Sequence, residues 1–198
     1  DYQAISYYAD PTAKKRREES GGAGARGRGG ARDVLDIGTG SGCIAVTLAA
    51  EMPEARVSAW DISEEALRIA EQNAKRHHVQ VAFAKQDILL TPTPAPWDII
   101  VSNPPYIMPK ERNGMERNVL DYEPDIALFA PEENPTVFYQ RIGDYAIQNL
   151  KTGGLLFFEL NPLTADTVAE YIRQLGFQEI EIRQDQFGKQ RFLKAKKI

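Results

Sequence analysis

The chain has 198 residues, 42% of them apolar, which suits one globular domain with a real core and leaves too little for a second full domain. No run of about 18 apolar residues occurs and no apolar stretch follows the first charges, so neither a membrane span nor a secretory signal is supported and the expectation is a cytoplasmic protein. Of the formal charge of −4, residues 1–33 carry +2, from seven Lys/Arg and five Asp/Glu, which leaves −6 on the other 165 residues. An acidic body is a poor general binder of nucleic-acid backbones, because affinity there comes from Lys and Arg neutralising phosphates.

Along the chain, Ser20 to Ala31 contains six glycines and no large apolar residue, so residues 1–32 read as a flexible or atypical segment ahead of a domain over 33–198. From Asp33 the pattern becomes regular. Asp33 to Ile37 reads as a buried strand, Gly42 to Glu51 as a helix, Arg56 to Asp61 as a strand, and Glu64 to Arg76 as a helix capped by Ser63. His77 and His78 at its end read as solvated residues. Strands are predicted over Val79 to Ala84 and Trp97 to Ser102, separated by a segment in which Pro92, Pro94 and Pro96 oppose a long helix. Thr136 to Leu150 has a helical stripe (Phe138, Ile142, Tyr145, Asn149), and Gly153-Gly154 is predicted to break it before a strand over Leu155 to Leu160. A helix over Thr164 to Leu175 stops at Gly176, and Phe177 to Arg183 with Arg191 to Lys196 read as an antiparallel pair. Such alternation implies an α/β fold whose mainly parallel sheet is covered on both faces, with ligands at the carboxyl ends of the strands.

Three of those strand ends are acidic. In Asp36-Ile37-Gly38-Thr39-Gly40-Ser41-Gly42 the glycines alternate between a strand and a helix, where the backbone must turn tightly and approach a ligand. Asp36 would repel a pyrophosphate and suit a cationic ligand. Asp61, nineteen residues after Gly42 and followed by Ile62, can take both hydroxyls of a ribose, and Asp87, followed by Ile88, stands where an adenine edge would lie. A fourth strand ends in Asn103-Pro104-Pro105-Tyr106, an amide ahead of two residues that lack N–H groups and stiffen the backbone. No Cys/His cluster has zinc-ligand spacing, so no metal is expected, and Cys43 reads as a small packing residue in a helix's first turn.

The D-x-G-x-G-x-G loop with acids after the next two strands resembles the Rossmann-like class I S-adenosylmethionine-dependent methyltransferases, and Asn103-Pro104-Pro105-Tyr106 resembles those that methylate a planar nitrogen. With Tyr122-Glu123-Pro124, Ala127-Leu128, Phe138-Tyr139, Glu159 and Asp185-Gln186-Phe187-Gly188-Lys189-Gln190-Arg191-Phe192, the chain from Val34 onward is similar to the HemK/PrmC family. The resemblance implies a seven-stranded sheet with an antiparallel C-terminal strand. It also implies methyl transfer from S-adenosylmethionine, leaving S-adenosylhomocysteine, to the glutamine amide in the Gly-Gly-Gln loop of a peptide-chain release factor. Asp36, Gly38, Thr39, Gly40, Gly42, Asp61, Ile62, Asp87, Ile88 and Asn103 would hold the cofactor. Asn103, Pro104, Pro105 and Tyr106 would hold the substrate, with Asn103, Pro104 and Tyr106 acting in the chemistry. Glu123-Pro124 and Glu159 would lie near the substrate mouth. A monomer is expected, with no membrane and no direct nucleic-acid partner.

Two features depart from the family pattern. The sequence starts too late to include the helical domain with which such proteins help to grip the release factor, and Asp10-Pro11-Thr12-Ala13-Lys14-Lys15 stands where an Arg-Pro-x-Thr-Glu-like stretch belongs. Three other readings therefore stay open. They are a nucleobase amino-methyltransferase acting on RNA or DNA, a cofactor-binding module without activity in a truncated form, and an NAD-dependent oxidoreductase. Asp36 and the lack of a catalytic His/Tyr/Lys set oppose the last.

Overall fold

The computed structural model describes residues 31–90, 92–107 and 129–198. Seven strands form one sheet in the order β3-β2-β1-β4-β5-β7-β6. They are β1 (Asp33–Ile37), β2 (Arg56–Asp61), β3 (Ala82–Lys85), β4 (Trp97–Ser102), β5 (Leu150–Glu159), β6 (Gln178–Gln184) and β7 (Gln190–Lys196). Pairing is parallel from β3 through β5, whereas β7 runs antiparallel between β5 and β6. The helices are α1 (Cys43–Glu51), α2 (Glu64–Arg76), α3 (Val137–Asn149) and α4 (Ala165–Gln174). The mainly parallel α/β sheet implied by the sequence is therefore present.

The strands divide their side chains between two cores because successive residues of an extended chain face opposite ways. Leu35, Ile100, Leu156 and Phe158 point into one core with Tyr139, Ile142 and Ala146 of α3 and Val168 and Ile172 of α4. Val34, Ile99, Val101 and Phe157 point into the other, with Ala45, Leu48 and Ala49 of α1. Helices therefore cover both faces. The α2 start is capped as its sequence predicts: the Ser63 hydroxyl accepts from Ala66 N at 3.2 Å.

Two boundaries differ from the sequence expectation. The third strand is only Ala82–Lys85, because Val79 instead donates its N–H to Ala74 O at 3.1 Å and closes the end of α2. The fifth begins at Leu150, ahead of Gly153-Gly154. Gly153 takes φ 80 and donates to Lys197 O, while Gly154 O accepts from Lys197 N, so the glycines stay hydrogen-bonded inside the sheet as an irregularity. The α3 stripe also shifts: Tyr139, Ile142, Tyr145 and Ala146 are buried and Phe138 is only half-buried. No helix among the described residues is long and apolar enough to cross a membrane.

Candidate active site

Strand register brings the sequence-predicted residues to one edge of the sheet. Ile37 pairs with Trp60 of β2 and Ser102 of β4, and Asp61 pairs with Lys85 of β3. The glycine loop, Asp61, Asp87 and Asn103 therefore emerge beside one another at the carboxyl ends. Ser102, almost fully buried, fastens two of these ends by donating its hydroxyl to Ile37 O at 2.6 Å.

Gly38, Gly40 and Gly42 all take positive φ (71, 56 and 82), a region that strains L side chains. A Cβ on Gly38 or Gly40 would meet nothing within 4 Å, whereas one on Gly42 would stand 2.8 Å from Ala70 Cβ. The first two glycines thus border open space and the third lets α1 and α2 pack. Gly38 N and Thr39 N donate to Trp60 O, and Gly40 N donates to Asp61 Oδ2 at 2.8 Å, so the loop is strapped to the end of β2.

Asp36 lies beneath this loop with no exposed surface. Its Oδ2 accepts from Thr39 Oγ1 at 2.6 Å and Ala45 N at 3.2 Å, while Oδ1 has no hydrogen-bond partner. Burial pushes its carboxyl up to about 7, against the pull of those two bonds and with a smaller upward push from Asp61. The Thr39 hydroxyl is therefore turned inward to Asp36. A buried carboxylate with one orphaned oxygen costs desolvation energy that a nearby cation would offset.

Asp61 is half-buried and accepts from Gly40 N through one oxygen and Ser63 N through the other, at 2.9 Å. A carboxylate has about four lone-pair sites, so two remain for donors such as a ribose diol. Asp87 turns the chain after β3 by accepting from Leu89 N at 2.9 Å; Ile62 is exposed and Ile88 half-buried against the core. Open space above two glycines, free acceptors on Asp61 and an uncompensated buried acid fit a nucleoside that carries positive charge.

On the next strand end, Asn103 is exposed, Pro104 buried, and Pro105 and Tyr106 half-buried. The Tyr106 hydroxyl donates to Glu159 Oε1 at 2.9 Å and accepts from Arg191 Nη1 at 3.3 Å; its backbone oxygen accepts from Asn161 Nδ2 at 3.0 Å. Burial first, then the Glu159 carboxylate, raise the Tyr106 hydroxyl well above the ordinary phenol range, so it stays protonated at neutral pH.

The family model of the methyltransferase small domain matches residues 27–120. The release factor glutamine methyltransferase of Bacteroides thetaiotaomicron is 46% identical over 167 residues, covering 83% of this chain and 60% of that protein. Its counterpart in Flavobacterium psychrophilum is 40% identical, covering 82% and 57%. Over most of its length the chain is thus similar to proteins named release factor glutamine methyltransferases.

The chain spans about 60% of the length of the curated relatives that it matches. A methyltransferase from Pyrococcus furiosus shares the fold at TM-score 0.63 over 98% of both chains, at 18% identity. An S-adenosylmethionine-dependent O-methyltransferase from Thermotoga maritima does so at 0.63, covering 84% of this chain and 59% of its own, at 16% identity. Of the residues that carry the sequence resemblance, Tyr122-Glu123-Pro124 and Ala127-Leu128 lie outside the described residues. Cys43 does open α1, but it is exposed and does not pack as its small size predicts. The described residues hold no group of three or more His, Cys, Asp or Glu placed to bind a metal. The sequence reading missed Asn161. Its signal is present: Asn161-Pro162 at the end of β5 repeats, one strand over, the Asn103-Pro104 pair at the end of β4.

Proposed function

We propose that this chain carries the catalytic machinery that moves a methyl group from S-adenosylmethionine to the side-chain amide nitrogen of the Gly-Gly-Gln glutamine in a peptide-chain release factor. The observation that carries this reading is the placing of Asn103-Pro104-Pro105-Tyr106 beside the glycine loop, in a chain 46% identical to a named release factor glutamine methyltransferase. Residues 33–198 then form the methyltransferase domain, and residues 1–32 a segment ahead of it.

When bound, the cofactor supplies a methyl group made electrophilic by a sulfonium centre. Gly38 and Gly40 border its methionine portion, Asp36 offsets its positive charge from below through the loop, Asp61 takes the ribose hydroxyls, and Asp87 with Ile62 and Ile88 surrounds the adenine. An amide nitrogen is a poor nucleophile because its lone pair is delocalised into the carbonyl. Asn103 Oδ1 and the Pro104 carbonyl each accept one of its N–H groups, which fixes the nitrogen and aims the lone pair. The same two oxygens stabilise positive charge growing on nitrogen. The prolines keep both acceptors stiff. Tyr106 walls the pocket and is no base, because its hydroxyl is protonated and already donated to Glu159. Methylation makes the nitrogen acidic, so its surplus proton passes to water.

The test is transfer of a labelled methyl group to a release factor, beside a Gln→Ala loop variant of that factor, an Asn103→Ala enzyme and an RNA substrate. Signal lost in both variants and absent with RNA supports the proposal. Transfer to RNA, or undiminished transfer by Asn103→Ala, overturns it.

A further inference from the structure

We propose that Asn161, Glu159 and Arg191 are positioning residues for the Asn103–Tyr106 loop, pinning Tyr106 at its carbonyl and at its hydroxyl so that the amide-binding oxygens hold still. This inference rests on the function proposed above.

Pro104 and Pro105 have no N–H groups, so the centre of the loop cannot be tied to the sheet by its own donors. The fastening has to come from donors elsewhere that reach its acceptors. Asn161 supplies one: its Nδ2 donates to Tyr106 O at 3.0 Å. Asn161 is itself 2% exposed and held on two further sides, by Tyr139 Oη accepting from its backbone N at 3.3 Å and by Leu163 N donating to its Oδ1 at 2.9 Å. Tyr139 in turn donates to Glu159 O at 2.9 Å, so the end of β5 and α3 brace the same corner.

The far end of Tyr106 is held by charged groups. Its hydroxyl lies between Glu159 Oε1, which accepts from it, and Arg191 Nη1, which donates to it. Arg191 also donates to Leu160 O at 3.3 Å, and its Nε stands 3.5 Å from Asp185 Oδ2 in the turn between β6 and β7. Hydrogen bonds to charged partners are stronger than neutral ones, so this end too is firmly held. Between the two anchors and Asn103 stand only two prolines with fixed φ. A shift of Tyr106 therefore passes to the Pro104 carbonyl and Asn103 with little slack, and displacement on the ångström scale is what costs rate in methyl transfer.

The two Asn-Pro pairs divide the labour. Asn103 presents its amide outward at the end of β4, and Asn161 spends its amide inward at the end of β5 to hold Asn103's loop.

The decisive experiment compares Glu159→Ala, Glu159→Gln, Asn161→Asp and Arg191→Lys in transfer to a release factor, with S-adenosylhomocysteine titration of each. Glu159→Ala and Asn161→Asp should lose kcat about 10- to 100-fold with KM and cofactor affinity within about twofold of wild type, as expected for lost orientation. Glu159→Gln keeps the accepting oxygen and should recover most of the loss. Unchanged kcat in Glu159→Ala, or loss of rate and cofactor affinity together in every variant, overturns the proposal. Should the wild type itself transfer nothing, the functional reading fails and fluorine resonances of 3-fluorotyrosine decide the inference, with Tyr106 assigned through Tyr106→Phe. One sharp Tyr106 line that splits or broadens in Glu159→Ala and Asn161→Asp supports pinning; the same line in all three rejects it.

Discussion

Two aspartates three residues apart on β1 respond to acid in opposite directions. The Asp36 carboxyl is raised by burial from its ordinary value to about 7, so the folded state holds a proton that the unfolded chain has released. Its contribution is complete below about pH 4 and is lost as pH rises through 7, by about 4 kcal/mol at 1.4 kcal/mol per unit. Asp33 is lowered, first by its hydrogen bond from Arg56 and then by Lys151, so its contribution exists above the usual carboxylate range and is lost as pH falls. Asp36→Asn should therefore flatten the fall in melting temperature between pH 5 and 8 and raise it at pH 8. Calorimetry across that range checks this, and parallel curves for variant and wild type would refute it. The same variant should bind S-adenosylmethionine more weakly, and S-adenosylhomocysteine, whose sulfur is uncharged, less so, because the charge under the loop is gone. Ser102→Ala removes the buried bond to Ile37 O and should cost about 1 kcal/mol in urea denaturation.

At the scale of elements, the glycine loop and α2 are one unit. A Gly42 Cβ would stand only 2.8 Å from Ala70 Cβ, and Gly42 also holds a left-handed backbone, so Gly42→Ala should cost about 2 kcal/mol or more. Adding Ala70→Gly should return most of the steric part, though the position-70 Cα stays 3.1 Å away, and leave the backbone part, a coupling that a double-mutant cycle measures directly. Much at this scale was legible in the sequence. Glycines at alternate positions, acids at successive strand ends and Ser63 before a helical stripe each follow from local stereochemistry, and each stands where the sequence places it. Pairing was less legible. Gly153-Gly154 reads as a break because glycine weakens a strand, yet here the carbonyl and amide of Lys197 keep both in the sheet. Val79 reads as strand because it is β-branched, yet it finds its partner in the α2 terminus. Which backbone groups meet is a long-range fact that local pattern does not carry. Asn161 escaped for the same reason: its role depends on Tyr106, 55 residues earlier.

For the whole molecule, β7 matters most, because it is the antiparallel strand through which β6 joins the sheet. Leu193 on this strand is buried in the larger core, so Leu193→Ala should cost about 2–5 kcal/mol and loosen both neighbours. Urea denaturation gives the magnitude. Amide exchange that quickens in β6 and β7 together, while β1 and β2 keep their protection, would show that the loss is local to this end. The position of β7 also sets a schedule. Arg191 follows Tyr106 by 85 residues, roughly 4–17 s of synthesis at about 5–20 residues per second. The strands and glycines at the cofactor edge leave the ribosome well before the side chain that steadies Tyr106. A nascent chain can thus assemble its donor-binding half first, and its acceptor-binding loop is braced only after β7 has been made.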